Sequence, residues 1–209
     1  LPNLFRVLTG SQQWMLVRSN LDRFNLDYYR PLGNPTRFIH ALLQHFSRAK
    51  DEEVSPQQYL KHVQGLKLDA DSELGEDKDE LKRLYEVADA YHVYQQLLLE
   101  GSALDFGDLI NYTLKLLRTR KRVLSEIRTR FKYILVDEFQ DTNFAQYELM
   151  KLLAAPTNNI TVVGDDDQAI YKFRGASLSN ILEFKQDYPK CKEVILTQNY
   201  RSFQKILDT

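Results

Sequence analysis

Three short apolar runs, Tyr133-Ile-Leu-Val136, Ile160-Thr-Val-Val163 and Glu193-Val-Ile-Leu196, constrain this chain more than any other feature. Each is too short for a buried helix and rich in β-branched residues, so each is expected to be a strand. Helical patterns separate them, from Asn143 to Ala154 and from Ser177 to Gln186. Strands alternating with helices predict an α/β fold with a parallel sheet covered on both faces. In such sheets ligands gather beyond the carboxyl ends of the strands. Polar clusters stand at all three of those ends: Asp137-Glu138, Gly164-Asp-Asp-Asp-Gln168 and Thr197-Gln-Asn-Tyr-Arg201.

Upstream, from Asn34 to about Arg130, the period is helical. Asn34-Pro35 offers a capping residue before a proline, and Ile39, Leu42, Leu43 and Phe46 follow on one face. Ser55-Pro56 repeats the start signal, with Tyr59, Leu60 and Val63 running on to Gly65. The stretch Asp69–Glu80 holds seven acids and one lysine, a composition that suits a solvated loop. A long helix is expected from Leu81 through Leu84, Tyr85 and Ala88 to Gly101, and another from about Asp105. In the latter, Asp108 favours the positive end of the helix dipole.

Composition narrows the classes. Lys and Arg total 28 against 29 acids, so the net charge of −1 excludes a polybasic coat protein. The single cysteine, Cys191, excludes an internal disulfide and fits a reducing, cytoplasmic setting. No apolar run approaches the ~20 residues of a membrane helix. His40, His45, His62 and His92 show no metal-ligand spacing with each other or with Cys191, so zinc is not expected. The basic run from Lys115 to Lys132 has the composition of a solvated helical face.

Chemistry concentrates after the strands. An apolar strand ending in Asp137-Glu138 suits a magnesium-dependent hydrolase: one carboxylate anchors the ion through its waters and the next accepts a proton from attacking water. Alone, such a pair more often caps the following helix. The wider wording is more specific: Val136-Asp-Glu-Phe-Gln-Asp-Thr-Asn143, then Gly164-Asp-Asp-Asp-Gln-Ala-Ile-Tyr-Lys-Phe-Arg-Gly-Ala176, then Leu196-Thr-Gln-Asn-Tyr-Arg-Ser202. In order and spacing these strings resemble motifs II, III and IV of the UvrD/Rep/PcrA group of superfamily 1 DNA helicases. Asp105-Phe-Gly-Asp-Leu109 resembles the short motif that group carries before its Walker B strand.

The resemblance implies an incomplete RecA-like parallel sheet of P-loop NTPase type joined to a helical insertion domain. Residues 1–103 would be the 1B-like insertion, and 104–209 the later part of the first motor domain. Asp137 would hold Mg²⁺ and Glu138 would be the catalytic base. Gln168 would contact the γ-phosphate and the attacking water. Arg201 would reach the γ-phosphate and Tyr200 would stack on the adenine of ATP. Tyr171, Phe173 and Arg174 would lie on the DNA side, with Phe173 standing where the family commonly has Trp. An aromatic ring there can stack on any base of a single strand. The partners implied are single-stranded DNA and single/double-strand junctions, with translocation in the 3′ to 5′ direction. A helicase–nuclease subunit and a non-catalytic DNA-binding module are the competing expectations.

A nucleotide motor also needs a Gly-rich phosphate cradle ending in Gly-Lys-Ser/Thr. None of the eight glycines here is followed by Lys. The chain begins at Leu1 and closes at Asp208-Thr209 within a helical pattern, so the expectation is a segment of a longer protein, inactive as an ATPase by itself.

Overall fold

The helical half is built on α4 (Lys78–Glu100), whose stripe of Val87, Ala88, Ala90, Tyr91, Tyr94, Leu97 and Leu98 is buried. In the computed structural model, which describes residues 4–70, 78–165 and 179–207, that stripe meets α2 (Ile39–Asp51). Ile39, Leu42, Leu43 and Phe46 are buried there, as their spacing predicts. Phe46 stacks on Tyr91 at 5.1 Å between ring centroids and on Tyr94 at 5.4 Å. Truncating such a ring costs about 3–5 kcal/mol. α1 (Gly10–Ser19) and α3 (Pro56–Ala70) pack around this pair.

Three helix boundaries differ from expectation: the start of α2, the end of α3 and the start of α4, which begins at Lys78 rather than Leu81. α2 begins at Ile39 rather than after Asn34, because residues 35–38 form turns. α3 starts as predicted, with Ser55 Oγ accepting from the Gln58 amide, but runs through Gly65 to Ala70. A lone glycine costs a helix only about 1 kcal/mol, which packing of α3 along α4 offsets. Most of the acidic stretch lies outside the described residues. Its last acids, Asp79 and Glu80, form the exposed first turn of α4.

After α4, the strand β2 (Ala103–Leu104) pairs in parallel with β1 (Arg6–Val7). It leads into α5 (Phe106–Thr119), then α6 (Lys121–Arg130). The second parallel pair joins β3 (Ile134–Val136) to β4 (Ile160–Val162), with Ile134 opposite Ile160 and Val136 opposite Val162. The crossover between them is α7 (Phe144–Ala154). α8 (Ser179–Asp187) and the short α9 (Gln204–Leu207) follow. Small parallel sheets among many helices are the α/β arrangement of a partial RecA-like domain with a helical insertion.

The third expected strand does not form. Residues 193–196 carry no strand, and Leu196 is 83% exposed. A strand needs a ladder partner, and among the described residues none pairs with this run. A cleft of about 590 Å³ is lined both by Ile160 and Val162 of β4 and by Glu193 and Val194 of this run.

A buried charge cluster joins the two halves. Lys50, at the end of α2 and 2% exposed, bonds Asp105 at 2.6 Å and Asp108 at 2.9 Å. Tyr94 donates to Asp105 at 3.0 Å and Gln95 to Asp108 at 3.1 Å. The same aspartates form the capping box of α5. Next along α2, Asp51 accepts from Asn143 Nδ2 at 2.6 Å, and Asn143 is the N-cap of α7.

Candidate functional site

Backbone pairing carries β3 to Val136, whose carbonyl accepts from Val163 N at 2.8 Å. The chain then turns sharply. Glu138 adopts the left-handed conformation at φ 50° and ψ 44°, which is unfavourable for a residue with a Cβ and gathers at functional sites. The turn lets Phe139 N donate to Val163 O at 2.9 Å, clipping it to the end of β4. Phe139 is fully buried, edge-on to Tyr147 at 5.5 Å and to Phe184 at 5.6 Å. Tyr147 in turn donates to Asp187 at 2.9 Å. An aromatic anchor therefore holds the turn from below.

Above the anchor stand the two carboxylates. Asp137 and Glu138 are both exposed, and Asp137 Oδ1 accepts from the Glu138 amide at 3.0 Å. Glu138 Oε2 accepts from Gln140 Nε2 at 2.7 Å. Gln140 is 3% exposed, and its Oε1 accepts from the Asp165 amide at 3.0 Å. The ends of β3 and β4 thus meet at one polar edge, as the parallel arrangement predicts.

The donor set suits magnesium. Carboxylate oxygens are hard ligands, and Mg²⁺ is usually held by one or two of them while keeping its waters. Among the described residues no group of three His, Cys, Asp or Glu side chains forms a closed metal cage. Exposed Asp137 at a strand end matches the open, one-carboxylate arrangement.

The remaining expected site residues fare differently. Gln168, Tyr171, Phe173 and Arg174 lie outside the described residues. Tyr200 is 86% exposed and Arg201 is exposed, both within a turn in which Asn199 Oδ1 accepts from the amides of Arg201 and Ser202 at 2.8 and 2.9 Å. Among the described residues no hydrogen bond, ion pair or ring contact joins them to Asp137 or Glu138. The basic run is partly structural: Arg118 pairs with Glu53 and Glu148, Arg122 with Glu126, and Arg128 donates to Leu152 O.

Pattern reading passed over two residues. Gln140 stands inside the motif string, but its spacing carries no sign of a bond to another strand end. Lys50 left a signal, since it continues the apolar face of α2 four residues after Phe46. A lysine on a buried stripe demands a partner carboxylate.

Comparison with known proteins agrees with these strings. The family model for the UvrD/REP helicase N-terminal domain matches residues 5–189. The chain is 39% identical over 204 residues to the ATP-dependent DNA helicase PcrA of Bacillus subtilis (strain 168), which covers 97% of this chain and 24% of that protein. It is 38% identical over 206 residues to PcrA of Leuconostoc citreum, covering 98% and 24% respectively. Against PcrA of Staphylococcus aureus (strain Mu50) it is 38% identical over 204 residues, covering 98% and 25%. It spans about a quarter of the length of these relatives. With that match running through most of its length, the chain belongs to the UvrD/REP helicase family, in the N-terminal helicase domain.

Proposed function

We propose that this chain is the part of an ATP-dependent DNA helicase that activates the hydrolytic water and senses single-stranded DNA. Residues 1–103 serve as the helical insertion domain and residues 104–209 as the later part of the first motor domain. The observation that carries the reading is the shared edge of β3 and β4, where Asp137 and Glu138 stand beside Gly164-Asp165.

In this reading Asp137 would hold Mg²⁺, which would supply positive charge beside the transferring phosphoryl group. Glu138 presents a carboxylate to water and takes its proton as the new P–O bond forms and the bond from the γ-phosphorus to the bridging oxygen breaks, releasing ADP. Gln168 orients that water and contacts the γ-phosphate. Arg201, a planar fork of donors, stabilises the γ-phosphate oxygens, and Tyr200 stacks on the adenine. Tyr171, Phe173 and Arg174 grip single-stranded DNA. Opening and closing of the nucleotide cleft moves that grip along the strand from 3′ to 5′ and separates the duplex at a junction.

Residues outside this chain supply the Gly-Lys-Ser/Thr cradle, so the 209-residue chain alone should show no productive turnover. The protein works in the cytoplasm. Among the described residues no helix is long and apolar enough to cross a membrane.

The test is ATP hydrolysis by the full-length protein that carries this chain, with and without single-stranded DNA, beside Glu138→Gln. DNA-stimulated turnover that collapses in the variant by about 100-fold or more supports both motor and base. Turnover that survives the substitution removes Glu138 from its role. An inert wild-type protein points to a DNA-binding module.

A further inference from the structure

The Gln140 side chain lies between two strand ends in a way that catalysis by Glu138 alone does not require. Its amide has one consistent orientation. The Asp165 N–H can only donate, so Oε1 must face it, which leaves Nε2 to donate to Glu138 Oε2. Burial to 3% exposure leaves little water to compete for either bond. The backbone fits this geometry on both sides. The left-handed turn at Glu138 draws residues 139–140 across the end of β4. A Cβ at position 164 would lie 2.9 Å from Gln140 Oε1, so it could be accommodated only by displacing that side-chain end.

We propose that Gln140 is a positioning residue that fixes the Glu138 carboxylate to the end of β4, so that the orientation of the base follows the segment leading to Gln168 and Tyr171. The inference rests on the reading of Glu138 as the base. Gln140 occupies Oε2, and among the described residues no protein donor takes Oε1. That oxygen is left to face water. An unbraced glutamate has three rotatable bonds and spreads over many rotamers, whereas a braced one is held in a single arrangement before water arrives. Holding a reacting group in place lowers a barrier without new chemistry, and a misplacement of about 1 Å can cost about 100-fold in rate. Asp165 lies three residues before Gln168 and six before Tyr171 in the sequence. A shift of backbone at Asp165 therefore reaches the base through one side chain.

Two substitutions break the brace from opposite ends. Gln140→Met keeps length and burial but removes both bonds. Gly164→Ala leaves Gln140 in the chain and pushes its Oε1, the movable end of a side chain, out of place. In the full-length protein each is expected to lower kcat for DNA-stimulated ATP hydrolysis by roughly 10- to 100-fold, with KM for ATP changed less than about twofold. Affinity for Mg²⁺ with a non-hydrolysable ATP analogue should stay within the same twofold. Hydrogen exchange at the Asp165 amide should quicken by about tenfold or more in Gln140→Met. Adding either substitution to Glu138→Gln should cost nothing further, because the group being positioned is gone.

Contrary results separate cleanly. If Glu138→Gln abolishes turnover but Gln140→Met and Gly164→Ala retain it, the positioning role falls and the base stands. Analogue affinity or melting temperature that falls in step with kcat makes Gln140 a structural residue and overturns the proposal. Turnover that survives Glu138→Gln overturns the base and the brace together.

Discussion

Replacing Lys50 with methionine should expose how much of this fold depends on one buried cation. The side chain of Lys50 is 2% exposed, and those of its partners Asp105 and Asp108 are 8% and 5% exposed. Methionine preserves most of the volume, so the packing loss is small and the change is chiefly electrostatic. Removing one partner of a buried ion pair costs about 3–5 kcal/mol, because the remaining charge stays desolvated. Here Tyr94, Gln95 and the Asp108 amide still donate to the carboxylates, which places the expected loss near the lower end, about 3 kcal/mol. For a chain of this size that lowers the melting temperature by roughly 6–12 °C.

The pH dependence distinguishes this cause from lost packing. Burial already pushes the Asp108 carboxyl up, while the Lys50 ammonium pulls it down. Without Lys50 the Asp108 carboxyl moves higher still. A raised carboxyl contributes stability that is full below its unfolded value and lost as pH rises through the folded value. The gap between variant and wild type should therefore narrow from pH 7 towards pH 4. Urea denaturation of the 209-residue chain, followed by circular dichroism at both pH values, measures it. Adding Asp105→Asn and Asp108→Asn to Lys50→Met should recover stability to within about 1 kcal/mol, since a whole buried ionic set is often replaceable at little cost. A Lys50→Met loss below about 1 kcal/mol, or one equal at both pH values, refutes the reasoning.

Burial lifts the Asp51 carboxyl to about 6, against the bond from Asn143, so its ionisation opposes folding above that pH. Asp51→Asn keeps the acceptor oxygen and should gain about 1 kcal/mol over wild type near pH 7.5, after discounting for partial exposure, with the gain vanishing near pH 4 in parallel urea titrations. Gly107→Ala would set a Cβ 2.7 Å from Lys50 Cβ. It should destabilise by about 1–3 kcal/mol despite alanine's better helix propensity, as differential scanning calorimetry would reveal. Asn143→Ala removes the α7 cap and the bond to Asp51 together, and should cost roughly 2 kcal/mol by urea denaturation.

The candidate site was legible only in part. Asp137 and Glu138 could be placed at a strand end because an apolar run stops there, and strand length is a local property. The same logic misplaced residues 193–196, since an apolar run states what a strand would bury and not whether a neighbour offers it hydrogen bonds. The Asn34-Pro35 start signal likewise yielded to turns that delay α2 to Ile39.

The sequence by itself determined the amphipathic stripe of α2, the helix starts at Ser55, near Asp105 and at Asn143, the β3 and β4 runs and the order of the polar strings. Each of these depends on groups within a few residues of one another, where helix and strand periods speak directly. Tertiary structure alone decided that Lys50 meets Asp105 and Asp108, that Asp51 reaches Asn143, and that Gln140 spans from Glu138 to Asp165. Those partners are brought together by strand register and helix packing across long loops. Residue type announces only that a buried polar group must find a partner, and the closed chain chooses which one.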